Sequence, residues 1–202
     1  MPSTMNKTQG ISVLAWQDIA TGAVVLSAAQ DVSTKFSASF FVQLGRNSGS
    51  AFTSGWPNIR IEASAKVSGD DTWTPVTIFQ PAVGASIAAT TLNGAISAGA
   101  SSCVVTSAAN IAIGDMLFLG HTTTPANYEL VRVKGVSGTT ITFEEACTKA
   151  HDNTAVVSDQ AERYTASIDV SSYGRLRVVV DNANSARTIY VAVDMVTGDS
   201  VS

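Results

Sequence analysis

Apolar and polar residues alternate along much of this chain with a period of two, the pattern of a strand that buries one face. From Phe36 to Leu44, residues Phe36, Ala38, Phe40, Val42 and Leu44 fall on one side, with mainly Ser and Gln on the other. From Asn58 to Val67 the split is cleaner. Ile59, Ile61, Ala63, Ala65 and Val67 oppose Asn58, Arg60, Glu62, Ser64 and Lys66. Leu176, Val178 and Val180 alternate with Arg175, Arg177 and Val179, and Ile189, Val191, Val193 and Met195 form a last apolar face. Strands of this kind pair antiparallel, with one face dry and the other wet. Gly69-Asp70-Asp71, Val136-Ser137-Gly138-Thr139-Thr140 and Asp181-Asn182-Ala183-Asn184-Ser185 separate them. Gly, Asn and Asp tolerate the positive φ of tight turns, so these are hairpin signals. No stretch keeps a helical period over three turns. At most, short helical turns are expected near Ser107–Asn110 and Cys147–Ala150.

Residues 85–158 differ from the flanks: they are rich in Ala, Ser, Thr and Gly, with shorter strands and closer turns. Trp16, Trp56 and Trp73 all precede them. The expected architecture is an all-β chain. An antiparallel β-sandwich is made of residues 10–84 plus 159–198, a small β-barrel-like domain of residues 85–158 is inserted between two of its strands, and residues 1–9 form a flexible N-terminal arm. Insertions of this kind are tolerated at exposed loop tips.

Charged residues make up 14% of the chain, against about 25% in ordinary globular proteins. The hydrophobic share is 45%, enough for a core and unlike a disordered chain. The net charge is −4, and Arg175 and Arg177 are the densest basic pair, at strand spacing. Phosphate neutralisation needs a concentrated basic surface, so no nucleic-acid partner is expected. No apolar run reaches the length of a membrane span, so no membrane partner is expected either. Met1 to Gly10 is polar and carries no apolar secretory core, which implies synthesis in a host cytoplasm. Cys103 and Cys147 are therefore read as buried free thiols, with a disulfide as the alternative.

The middle region contains Ile96-Ser97-Ala98-Gly99-Ala100-Ser101-Ser102-Cys103-Val104-Val105, then Ile111-Ala112-Ile113-Gly114-Asp115-Met116-Leu117-Phe118-Leu119. Tyr128-Glu129-Leu130-Val131-Arg132-Val133, Val136–Phe143 and Ala150-His151 follow. In order and spacing these resemble a small β module of tailed-phage virion proteins and some bacterial surface proteins. The resemblance implies a scaffold displayed on a particle, with no catalytic residue carried over. The outer residues, Arg163–Tyr173 and Arg175–Val180, are similar in a generic way to phage β-sandwiches of the capsid-decoration or tail-accessory type.

Candidate chemistry is sparse. His121 and His151 lack a third ligand at metal spacing and read as surface or turn residues, with His151 matching a position of the module. Glu129, at a strand start, reads as solvated rather than as a base. No Gly-x-Ser-x-Gly elbow is present. Asp70-Asp71, Glu144-Glu145 and Asp152-Asn153 lack a calcium-loop pattern. An aromatic-lined cleft for glycoside chemistry is not expected. No catalytic residue, metal or cofactor is therefore assigned. The Ser/Gly/Asn-rich loop from Gly45 to Gly55, punctuated by Phe52 and Trp56, is an interface candidate or a core anchor. With the arm, it gives Met5, Ile11, Arg46, Phe52 and Trp56 as interface residues.

These readings point to a non-enzymatic virion protein, a capsid decoration or cement protein that binds the major capsid protein and itself as a cyclic homo-oligomer such as a trimer. The alternatives are a tail, baseplate or fibre accessory protein and a carbohydrate-binding or adhesion module. Circular dichroism is expected to be dominated by β signal, with helix below about 15%. A helix-rich spectrum overturns the fold class.

Overall fold

A computed structural model describes residues 10–46, 57–69, 72–80, 89–159, 161–183 and 187–199. Its strands, in chain order, are β1 (Ile11–Ile19), β2 (Val24–Leu26), β3 (Gln30–Asp31), β4 (Lys35–Arg46), β5 (Asn58–Ser64) and β6 (Thr74–Phe79). Next come β7 (Ala89–Thr91), β8 (Ser102–Val104), β9 (Met116–Leu119), β10 (Glu129–Ser137), β11 (Thr140–Phe143) and β12 (Val156–Ser158). The last are β13 (Glu162–Asp169), β14 (Arg175–Asp181) and β15 (Ile189–Asp199). All pairing between these strands is antiparallel, and the chain is all-β.

Two sheets face each other as a sandwich. One has the order β1-β15-β4-β13. The other has the order β2-β14-β5-β6, with β3 also on β14. The alternating residues meet between them. Ala38, Phe40, Val42, Leu44, Ile189, Val191, Val193 and Met195 pack on Ile59, Ile61, Ala63, Leu176, Val178 and Val180 in one buried cluster. Burying one such aliphatic or aromatic side chain is worth about 1.5–3 kcal/mol, so this face decides the register.

The alternation overshoots at two strand ends. Phe36 is half-exposed at the rim, and Val67 is exposed because pairing of β5 with β14 stops at Ser64. There the Gly174 N–H donates to the Ser64 carbonyl, and the chain leaves the sheet. On the outer face of the second sheet, Glu62 is buried, because Arg60 and Arg177 both pair with it. Trp73 stacks against the Arg177 guanidinium at 4.3 Å. Burial alone would raise the Glu62 carboxyl, but the two arginines outweigh it and hold it below the ordinary range.

Strands β7 to β12 form a third sheet, order β7-β12-β9-β10-β11-β8, with its own core of Leu92, Val105, Leu117, Leu119, Val133, Ile141, Phe143 and Val157. A two-residue turn at Gly138-Thr139 joins β10 to β11, and Gly138 has φ 59°, the left-handed region that a glycine adopts without a Cβ penalty. The short helical turns expected at 107–110 and 147–150 are not there. Asn110 has φ 65°, incompatible with a helix, and the one helical turn among the described residues is a 3-10 turn at Pro125–Asn127, which starts on a proline. Cys103 and Cys147 are buried and free. Burial, with Cys147 nearby, pushes the Cys103 thiol up to about 12.

This third sheet lies in the chain between β6 and β13, the edge strands of the two sandwich sheets. The Phe79 and Tyr164 rings, 5.8 Å apart, and the Tyr164 hydroxyl on the Gln80 carbonyl tie those edges together. A separable insert at residues 85–158 is therefore a proposal with a direct test. Replacing those residues by a short Gly/Ser linker is expected to leave a remainder that still unfolds cooperatively in urea, at lower stability than the full chain. A non-cooperative transition would mean that the parts share one core. In the intact chain, Phe118→Ala is expected to cost about 3–5 kcal/mol in the same measurement.

Candidate functional site

Where the third sheet meets the sandwich, Phe118 of β9 is fully buried against Tyr190 of β15. The two rings are stacked, with centroids 4.4 Å apart and planes within 6°. Tyr128 meets both edge-on, at 5.1 and 5.4 Å, and Trp16 of β1 lies 5.9 Å from Phe118. Such geometries add to the area buried. Gly45 makes the approach possible, since a Cβ there would sit 2.3 Å from a Phe118 ring carbon. The Tyr128 hydroxyl donates to Asp18 at 2.9 Å. Burial first, then this bond, raises the Tyr128 phenol above its ordinary value.

A second contact closes the same junction. Arg46, at the end of β4, is 1% exposed and its guanidinium pairs with Glu162, while the Ser158 hydroxyl donates to the Arg46 carbonyl at 2.6 Å. Burial lowers the Arg46 guanidinium, opposed by Glu162 and Asp159. Arg46, expected from the sequence to be an interface residue, therefore holds the chain's own junction and offers no side chain to a partner. Ile11 is exposed at the start of the edge strand β1. Met5, Phe52 and Trp56 lie outside the described residues.

Inside the third sheet's loops, Glu129 is not solvated. Its carboxylate accepts from the Thr148 N–H and hydroxyl, both at 2.9 Å, from the Lys149 N–H at 3.1 Å and from His151 Nε2 at 2.8 Å. His151 is buried, and its Nδ1 faces the Gly120 carbonyl at 2.7 Å. Each ring nitrogen therefore faces an acceptor, a carbonyl on one side and a carboxylate on the other. Burial would raise the Glu129 carboxyl. The His151, Thr148 and Lys149 donors overcome that and hold it below its ordinary 4.5. His121 is engaged as well. Its Nε2 lies 2.7 Å from an Asp152 carboxylate oxygen, and its Nδ1 accepts from the Thr123 and Thr124 N–H groups. Neither histidine has a ring nitrogen left to serve as a general base. Among the described residues, no group of three His, Cys, Asp or Glu could hold a metal ion.

Beside the aromatic junction runs a cleft of about 700 Å³. Its sandwich wall carries Trp16, Gln43 and Arg163, and the opposite wall carries Arg132, Glu144, Glu145 and Lys149. Reading the chain linearly missed it, because Trp16 and Gln43 come far before the opposite wall in the sequence and Arg163 comes after it, and neither wall is aromatic-rich by itself. The outer face of the first sheet extends away from the cleft. Ser12, Asp194, Phe41 and Thr165 form one cross-strand row on it. Phe41 is 42% exposed, and Ser39 and Ser167 share a hydrogen bond in the next row.

No family model matches the chain, and no curated protein does. Among solved structures, the tailspike of Acinetobacter baumannii bacteriophage AP22, solved with a capsular saccharide, is 26% identical over 37% of this chain, at a TM-score of 0.33. The chain spans only 15% of that tailspike. The SPBc2 prophage-derived protein YomS is 9% identical, covers 98% of each chain and gives a TM-score of 0.34. A structure of infectious bursal disease virus, Gx strain, is 9% identical over 98% of this chain and 83% of its own, with a TM-score of 0.24. Likeness of this degree fixes no function.

The Glu129 cluster makes a pH prediction. A carboxyl lowered in the folded state contributes stability that is present above its unfolded value of 4.5 and lost as pH falls through its folded value. Urea unfolding midpoints are expected to fall between neutral pH and about pH 3. Glu129→Gln should be less stable than the native chain at neutral pH and should lose less on acidification. An unchanged acid slope would remove Glu129 from the account.

Proposed function

We propose that this chain is a non-enzymatic structural protein of a bacteriophage particle, acting as a capsid decoration protein on the major capsid protein. The observation that carries the reading is the outer face of the first sheet. It is broad, built of Ser, Thr and Gln around the exposed ring of Phe41, and holds few charges. Interfaces favour an aromatic anchor inside a polar, charge-poor surround. The full engagement of both histidines supports a role without acid–base catalysis. Residues 1–9 are proposed to add a strand to a neighbouring subunit, and the protomers to assemble as a closed ring such as a trimer. A tail, baseplate or fibre accessory protein is the second reading, since the same face suits any virion neighbour.

The test is binding of purified protein to particles that lack it. Wild type is expected to bind capsids with little change between ~0.05 and ~0.5 M salt, because screening acts on exposed charges and this face has few. Phe41→Asp and deletion of Met1 to Gly10 should each weaken binding at least about tenfold, roughly 1.4 kcal/mol. Unchanged binding by both variants would remove this face and the arm. Binding to tails and not to capsids would replace decoration by the accessory reading. Light scattering showing a monomer of 20.9 kDa at every concentration would remove self-assembly of the isolated protein.

A further inference from the structure

We infer that the cleft between the sandwich and the third sheet is a binding site for a neutral saccharide. Three observations lead there. The first is size and place. A cleft of about 700 Å³ between two separately cored parts lies in the range of ligand sites, about 300–1,000 Å³, and in a common location for them.

The second is the aromatic wall. Trp16 is half-buried, lines the cleft and is held by Phe118 at 5.9 Å and Tyr128 at 6.1 Å. A ring already fixed by its neighbours loses little freedom when a ligand packs on it. The apolar C–H face of a pyranose is a flat partner for such a ring, and its hydroxyls remain free for polar groups.

The third is the polar lining. Arg132, Lys149 and Arg163 stand against Glu129, Glu144 and Glu145, three cations and three carboxylates, so the formal charge sums to zero. Several of these are already used: Glu129 by His151, Arg163 by the Leu130 carbonyl, and Arg132 by the Gly114 carbonyl. Gln43, Glu145 and Lys149 bring an amide, a carboxylate and an ammonium to the same space. Hydroxyls donate and accept at once, and this mixture of donors and acceptors serves them. A balanced lining gives a polyanion no advantage.

A peptide strand fits less well. β10 offers it little open ladder, because the Leu130 carbonyl accepts from Arg163 and the Arg132 carbonyl from the Glu144 N–H. Gln43 and Arg163 lie at the end of the particle-docking face and also line the cleft, so Phe41→Asp tests docking and Lys149→Ala tests the cleft, and either proposal can fail without the other.

The experiment uses the full chain and a panel of neutral hexose and N-acetylhexosamine oligosaccharides, with oligogalacturonate as the acidic member. Array binding is followed by calorimetric titration and by thermal unfolding of each variant. At least one neutral probe should bind and oligogalacturonate should not. Gln43→Ala and Lys149→Ala, whose side chains lie outside the buried clusters, should each weaken that probe about tenfold while unfolding at the native temperature. Trp16→Ala should abolish binding, and Trp16→Phe, which keeps a ring and spares the fold, should retain part of it. Absence of binding by any neutral probe would overturn the proposal. So would tighter binding of the acidic probe, binding unaffected by Gln43→Ala and Lys149→Ala, or capture of virion peptides in place of sugars with the same variant pattern.

Discussion

The stack of Phe118 on Tyr190 is the contact on which the arrangement of the molecule depends. It joins β9 of the third sheet to β15 at the centre of the first sandwich sheet. Beside it the two parts are linked through the chain segments between β6 and β7 and between β12 and β13, and by the hydrogen bonds of Ser158 to the Arg46 carbonyl, Tyr128 to Asp18 and Arg163 to the Leu130 carbonyl. The stack is possible because Gly45 leaves its place on the sheet empty, so one residue without a side chain sets how closely the sheets approach. Tyr128 then finds Asp18, and Trp16 is fixed at the cleft wall. A junction aromatic thus becomes a candidate ligand platform.

The polar groups follow the same economy. The chain has few charges, and the ones it buries are paired. Arg46 meets Glu162, Glu62 meets Arg60 and Arg177, and Glu129 meets His151. Breaking a buried pair by removing one partner is costly because the other charge is left without compensation. These pairs therefore fix loops and strand ends in place. What remains on the first sheet's outer face is mainly Ser, Thr and Gln, with Phe41 as its exposed aromatic feature.

Much of the fold was legible along the chain. Period-two alternation in β4, β5, β14 and β15 placed the sandwich core, because a sheet with one dry face imposes that period on its sequence. Glycine-bearing turns such as Gly138 mark a hairpin wherever they occur, since the backbone angle is a local property. Local pattern failed at strand ends. Whether Ala65 and Val67 continue a strand depends on how far β14 runs beside them, and β14 lies more than 100 residues away.

The functional surfaces were decided by tertiary structure. The sequence by itself determined an all-β chain of low charge, because these depend on composition and short-range period. It could not show that Glu129 is the acceptor of a four-donor cluster, that Arg46 is buried, or that Trp16 and Glu145 line one cleft. Burial and pairing of a polar group are set by whatever lies across the fold from it. In this chain one wall of the cleft comes from the sandwich and the other from the third sheet and its loops, joined by two rings whose stacking no sequence period records.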